Sequence, residues 1–145
     1  ISRDKPSEEI LYHIFDLKIE KYVKIAHPIN QNHVYEIVSK SDCLLLPSVE
    51  EGIANAVLEA MAIGVVVIVS DCGGMSELVR DNENGYVFKN RKTNGLYFKM
   101  SKVCKNTSLE NKSIALMAQE TVKKNHGLST LGSEMKKIYD LTMSE

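Results

Sequence analysis

The sequence predicts an α/β domain built on a parallel sheet with helices on both faces, and three observations carry that expectation. Val65-Val66-Val67-Ile68-Val69 is a run of β-branched residues without alternation, the mark of a strand covered on both sides. Apolar runs of this kind are separated by stretches of helical period, the arrangement of βαβ crossovers. Glycine and polar residues gather just after the predicted strands, where ligands bind in open parallel sheets.

The elements follow in order. Ser7 with Glu8 and Glu9 behind it reads as an N-cap with an acidic first turn, and Ile10, Leu11, Ile14 and Phe15 repeat at helical spacing, so a helix is expected over residues 8–17. Tyr22-Val23-Lys24-Ile25-Ala26 is a short β-prone run stopped by Pro28, and a helix over 30–40 follows with Val34, Ile37 and Val38 on one face. Residues 43–47 form the next strand. A polar loop over 48–52 leads to a helix in which Ala54, Val57, Leu58 and Met61 face inwards until Gly64 ends it. The strand at 65–69 is followed by Gly73 and Gly74, a short helix at 76–80, a turn over 81–85 and a strand at 86–88. Helices over 95–103, 109–124 and 130–143 complete the chain.

Composition bounds the function. At 145 residues, with 43% hydrophobic and 26% charged residues, the chain suits one globular domain, and nothing in it suggests disorder or a disulfide scaffold. A formal charge of −1 supplies no general field for nucleic acid or anionic lipid, and no nucleic-acid partner is expected. Only local patches could serve. Cys43, Cys72 and Cys104 are odd in number and far apart, so they are expected as reduced, mostly buried thiols of a cytoplasmic protein and as no metal framework. The most apolar stretch, residues 60–69, is half the roughly 20 residues that a membrane span needs. No transmembrane segment is expected.

The chemistry should sit in the loops after Ala26, Pro47 and Ser70, at the carboxyl ends of the strands. The second of these reads Ser48-Val49-Glu50-Glu51-Gly52-Ile53-Ala54-Asn55-Ala56-Val57-Leu58-Glu59, which places Glu51 in a loop and Glu59 on the helix that follows. A helix N-terminus carries exposed N–H groups and the equivalent of roughly +0.5 charge, so a diphosphate would fit between these carboxylates, with Gly52 permitting close approach. Asn55 and Glu59 are four apart and share a helix face. The residues alone leave a second reading open, in which Glu51 merely favours the helix dipole and Glu59 is a solvated surface residue.

These same residues resemble a known signature. A strand ending in Pro47-Ser48, then Glu51-Gly52, Asn55, and Leu58-Glu59-Ala60-Met61-Ala62 with Gly64 is similar to the donor segment of the retaining GT-B glycosyltransferases of family 4, the glycosyl transferases group 1. Ser70-Asp71-Cys72-Gly73-Gly74 with Glu77 resembles the family's glycine pair and following glutamate, and Asn84-Gly85-Tyr86-Val87-Phe88 its closing strand. Departures fall at His27, Ala54 and Val66, none of which removes a functional side chain.

The resemblance implies a Rossmann-like domain spanning 1–145, the C-terminal half of a GT-B glycosyltransferase without its first strands. It implies an enzyme, a hexosyltransferase-type glycosyltransferase, that moves a sugar from a nucleotide diphosphate sugar to an acceptor with retention. Glu51 would be the catalytic residue beside the reacting carbon. The backbone of Gly52, Ile53, Ala54, Asn55, Ala56 and Val57 would hold the diphosphate, Glu59 the ribose, and Ile29 would lie against the base. No metal and no cofactor beyond the nucleotide sugar donor is implied. The acceptor-binding N-terminal domain and the basic residues that meet the diphosphate would lie outside the chain, leaving it inactive alone, cytoplasmic, and at the inner face of a membrane through that missing domain. The alternative is a non-catalytic nucleotide or nucleotide-sugar binding module. Loss of neighbouring strands would also leave open sheet edges prone to self-association.

Overall fold

A computed structural model describes residues 7–26 and 29–127. The expected helix over 130–143 and the loop residue His27 lie outside them. The described residues fall into two units, divided between Glu36 and Ile37.

In the first unit, helix α1 (Glu8–Asp16) starts where its signals predict. Ser7 adopts extended backbone and its Oγ accepts from the Ile10 N–H at 3.3 Å, while Glu8 and Glu9 complement the dipole. Its apolar residues are not buried, however: Phe15 is 71% exposed and Ile10 52%. Local capping and periodicity define this helix without a covered face. The expected strand at 22–26 does not form, because a 3-10 turn takes Glu20–Tyr22 and residues 23–26 join no ladder. A β-prone run of five residues does not make a strand without a partner to bond its backbone. Helix α2 (Gln31–Ser39) is capped by Asn30, whose Oδ1 accepts from the His33 N–H at 3.0 Å.

The second unit holds the sheet. Strands β1 (Cys43–Leu46), β2 (Val66–Ser70) and β3 (Tyr86–Phe88) are parallel in the order β1-β2-β3. All five residues of β2 are buried, as its unbroken apolar run predicts for a central strand. Alternate side chains feed two cores. Val67 and Val69 pack with Val57, Ala60 and Met61 of helix α3 (Asn55–Ile63) and with Met75 and Leu78 of helix α4 (Met75–Leu78). Val66 and Ile68 pack on the other face with Tyr86, Phe88 and Val103 of helix α5 (Thr93–Lys105). Helix α6 (Ser108–Asn125) serves both, giving Ala118 to the first core and Ala115 to the second. Each fully buried Val or Ile contributes about 1.5–3 kcal/mol of transfer free energy, so β2 is the anchor of the fold.

Punctuation is as local as the packing. Gly64 ends α3 at φ +89°, its N–H donating to the carbonyls of Ala60 and Met61 at 3.1 Å. Buried Asn84 organises the turn before β3: its Oδ1 accepts from the Arg80 N–H at 2.7 Å and its Nδ2 donates to the Leu78 carbonyl and to Thr121 Oγ1, both at 3.1 Å. One turn residue thus ties α4 to α6.

The three cysteines are free thiols, with Cys72 buried, Cys43 half-buried and Cys104 exposed, so the expectation of mostly buried thiols fails at Cys104. Burial pushes the Cys43 thiol up, and the neighbouring Cys104 and Asp42 add to the shift. Iodoacetamide at mildly alkaline pH should therefore alkylate Cys104 well before Cys43, because the thiolate is the nucleophile. Peptide mass spectrometry reads the order, and faster labelling at Cys43 would contradict this account. No helix among the described residues is long and apolar enough to cross a membrane.

Candidate functional site

The register pairs Leu46 with Val69, so β1 and β2 end side by side and their following loops emerge together. Side chains then lock the loops to one another. Buried Ser70, the last residue of β2, donates from Oγ to the Ser48 carbonyl at 2.5 Å. Asn90, just beyond β3, donates from Nδ2 to the Val49 carbonyl at 2.6 Å, and its own N–H donates to Asp71 Oδ1 at 2.5 Å. The Asp71 N–H in turn donates to the Phe88 carbonyl at 2.9 Å. The loops after all three strands thus form one assembly.

The closest approach is at the glycine pair. Gly73 has φ +50°, and a Cβ there would stand 1.7 Å from the Glu51 carbonyl oxygen. At Gly74 a Cβ would meet Ile53 Cγ1 at 2.9 Å, whereas at Gly52 it would meet nothing within 4 Å. Of these three glycines Gly73 is the one held tightest, against backbone, and the room left at Gly52 is open to a ligand.

Glu51 is exposed in this loop, and its Oε2 accepts from Ser48 Oγ at 3.3 Å. Helix α3 begins next to it. Ala54 holds the N-cap position in extended backbone and has no side chain to cap with, so the positive end of the dipole is not neutralised by a capping oxygen. Asn55 and Ala56 are exposed on the first turn, and Glu59 is half-buried one turn on from Asn55. Val57 is different: its side chain is fully buried and its N–H donates to the Ala54 carbonyl at 3.0 Å. It anchors the turn. The arrangement is an uncapped helix start, a feature that can receive an anion, with a loop carboxylate on one side and a helical carboxylate a turn further along.

The structure thus brings together Glu51, Gly52, Ile53, Ala54, Asn55, Ala56 and Glu59 with Gly73 and Gly74. Ile29 belongs to the first unit and is 37% exposed there. Sequence reasoning noted Ser70 and Asp71 only as part of the glycine-pair segment, without their fastening role, and missed Asn90. Ser70 carried a signal, since a hydroxyl closing an otherwise apolar central strand needs a hydrogen-bond partner. Asn90 carried none, because its partner lies 41 residues away. No group of three or more His, Cys, Asp and Glu side chains that could hold a metal ion occurs among the described residues.

Comparison with known proteins adds three findings. The family described as glycosyl transferases group 1 matches residues 5–120. Among curated proteins, the chain is 27% identical over 110 residues to N,N'-diacetylbacillosaminyl-diphospho-undecaprenol alpha-1,3-N-acetylgalactosaminyltransferase of Campylobacter jejuni, covering 76% of this chain and 29% of that protein. It is 29% identical over 109 residues to N-acetyl-alpha-D-glucosaminyl L-malate synthase of Bacillus anthracis, covering 75% and 28%. The chain thus spans less than a third of these relatives. Among solved structures, Anabaena HepE in complex with UDP superimposes with a TM-score of 0.84 at 21% identity, over 92% of this chain and 36% of that one. Sucrose-phosphate synthase from Thermosynechococcus elongatus gives 0.84 at 19%, over 94% and 34%. These similarities confirm the α/β fold class.

Proposed function

We propose, for a chain that belongs to the glycosyl transferases group 1 family, that the loop and helix over residues 48–59 bind the diphosphate of a nucleotide sugar and that the protein transfers this sugar to an acceptor with retention, as a family 4 enzyme. The observation that carries the proposal is the uncapped start of α3, fastened by Ser70, Asn90 and the Gly73 contact with a carboxylate on each side.

In this reading the backbone of Gly52, Ile53, Ala54, Asn55 and Ala56 receives the diphosphate, and the helix dipole stabilises the charge that grows on it as the glycosidic bond breaks. Val57 contributes by fixing the turn, since its own N–H is engaged. Glu51 contacts the donor sugar near the reacting carbon. Glu59 accepts from the ribose hydroxyls. UDP in the HepE structure and the sugar-transferring names of the curated relatives support a nucleotide sugar as donor. The acceptor site and the cations that complete the diphosphate site are assigned to the remainder of a longer protein, so the 145-residue chain alone should not turn over.

Calorimetric titration of the chain with UDP, GDP and UMP tests the diphosphate assignment. Without added cations the expected dissociation constant for the diphosphates is about 1 mM, roughly −4 kcal/mol, with UMP distinctly weaker. UMP binding as tightly as UDP would remove the diphosphate from the account.

A further inference from the structure

The stretch from Lys89 to Leu109 departs from the charge balance of the rest of the chain. It holds Lys89, Arg91, Lys92, Lys99, Lys102 and Lys105 and no Asp or Glu, in a protein whose formal charge is −1. Most of it is helix α5, which is amphipathic in an unusual sense. Leu96 and Val103, seven apart, face the second core. Away from that face, Tyr97 and Phe98 are 66% and 67% exposed with ring centroids 5.8 Å apart. Single exposed apolar residues are ordinary, but two aromatic rings in contact with each other and not with the core form a patch.

The charges around that patch are not all tied to the domain. Lys99 is held by Asp81 at 2.7 Å, and Lys102 donates to Asn82 Oδ1 at 2.8 Å. Lys89, Arg91, Lys92 and Lys105 are exposed. The nearest acid in sequence, Glu110, turns back to cap its own helix through the Thr107 N–H at 2.7 Å. A helix that shows two aromatic side chains outwards and carries lysines but no acid has the composition of a helix lying in a membrane interface, with apolar groups among the acyl chains and cations on the headgroups.

From this we infer that the outer face of α5, centred on Tyr97 and Phe98, docks on an anionic lipid bilayer. Charge complementarity selects that occupant, and the convex shape of a helix surface favours a planar interface over a nucleic-acid groove. This inference is independent of the donor-site reading, since it uses no residue of that site.

Co-sedimentation of the full chain with phosphatidylcholine vesicles, with and without about 30% phosphatidylglycerol, tests it at about 0.1 M and 0.5 M salt. Binding should be at least about tenfold stronger to the anionic vesicles and should weaken at the higher salt, since each engaged cation is worth roughly a fivefold factor. Tyr97→Ser with Phe98→Ser should lower binding about tenfold, and Lys92→Gln with Lys105→Gln should remove the preference for anionic vesicles. Thermal melting confirms that these surface variants stay folded. Equal binding to both vesicle types, or parental binding by the Tyr97/Phe98 variant, would overturn the inference. So would absent vesicle binding together with self-association, or oligonucleotide binding, that the same double variant abolishes.

Discussion

In the complete enzyme, Glu51→Ala should lower kcat by about 10²–10³ while changing the donor KM only a few-fold, and Glu59→Ala should do the reverse. The asymmetry follows from what each carboxylate is proposed to touch. A contact beside the reacting carbon strengthens as positive charge develops there, so its loss appears in the transition state. A ribose contact is equally strong before and during reaction. Its loss removes a charged hydrogen bond of about 1.5–3 kcal/mol, or roughly 10- to 100-fold in KM. Glu51 is exposed with only Ser48 Oγ on its Oε2, which suits a group kept available for substrate. Steady-state kinetics on both variants decides the matter, and small, equal effects on kcat and KM in the two would make the pair structural.

The second large effect is expected at Gly73. Alanine there is strained by φ +50° and places a methyl group 1.7 Å from the Glu51 carbonyl oxygen, so the Glu51 loop has to move. The expected cost is about 1–3 kcal/mol in stability. Because the loop carries Glu51 and leads into the α3 N-terminus, diphosphate binding should also fall at least about tenfold. Gly52→Ala is the control, since a Cβ there meets nothing within 4 Å and stability should change by less than about 0.5 kcal/mol. Denaturant unfolding of both variants compares them. A Gly73→Ala protein as stable as Gly52→Ala would refute the packing argument.

How much of this was legible in the sequence depended on whether the signal was local. The Gly64 stop and the Ser7 cap formed where residue pattern placed them because each is decided by neighbours in the chain, and the β2 and 86–88 runs formed strands because each found a partner in the sheet. The strand expected at 22–26 did not form, since β-propensity expresses itself only through a paired neighbour. The site divides the same way. The glutamates, the helix start and the glycine pair were visible as a run of residue types, but the close approach expected at Gly52 is found instead at Gly73, against the Glu51 carbonyl. The hydrogen bonds that fasten the site were not visible, because Asn90 meets Val49, and Ser70 meets Ser48, only after the sheet aligns their loops.

The claim on which the account rests is that the Glu51 loop and the start of α3 form a diphosphate site backed by Gly73 and Gly74. Amide NMR of the isotope-labelled chain, titrated with UDP to millimolar concentration, tests it most directly. The account predicts shifts concentrated in residues 48–59 and at Gly73 and Gly74, saturating with one dissociation constant near about 1 mM and greatly reduced in Gly73→Ala. An unperturbed 48–59 segment at millimolar UDP, or saturable shifts confined to another part of the chain, would contradict it.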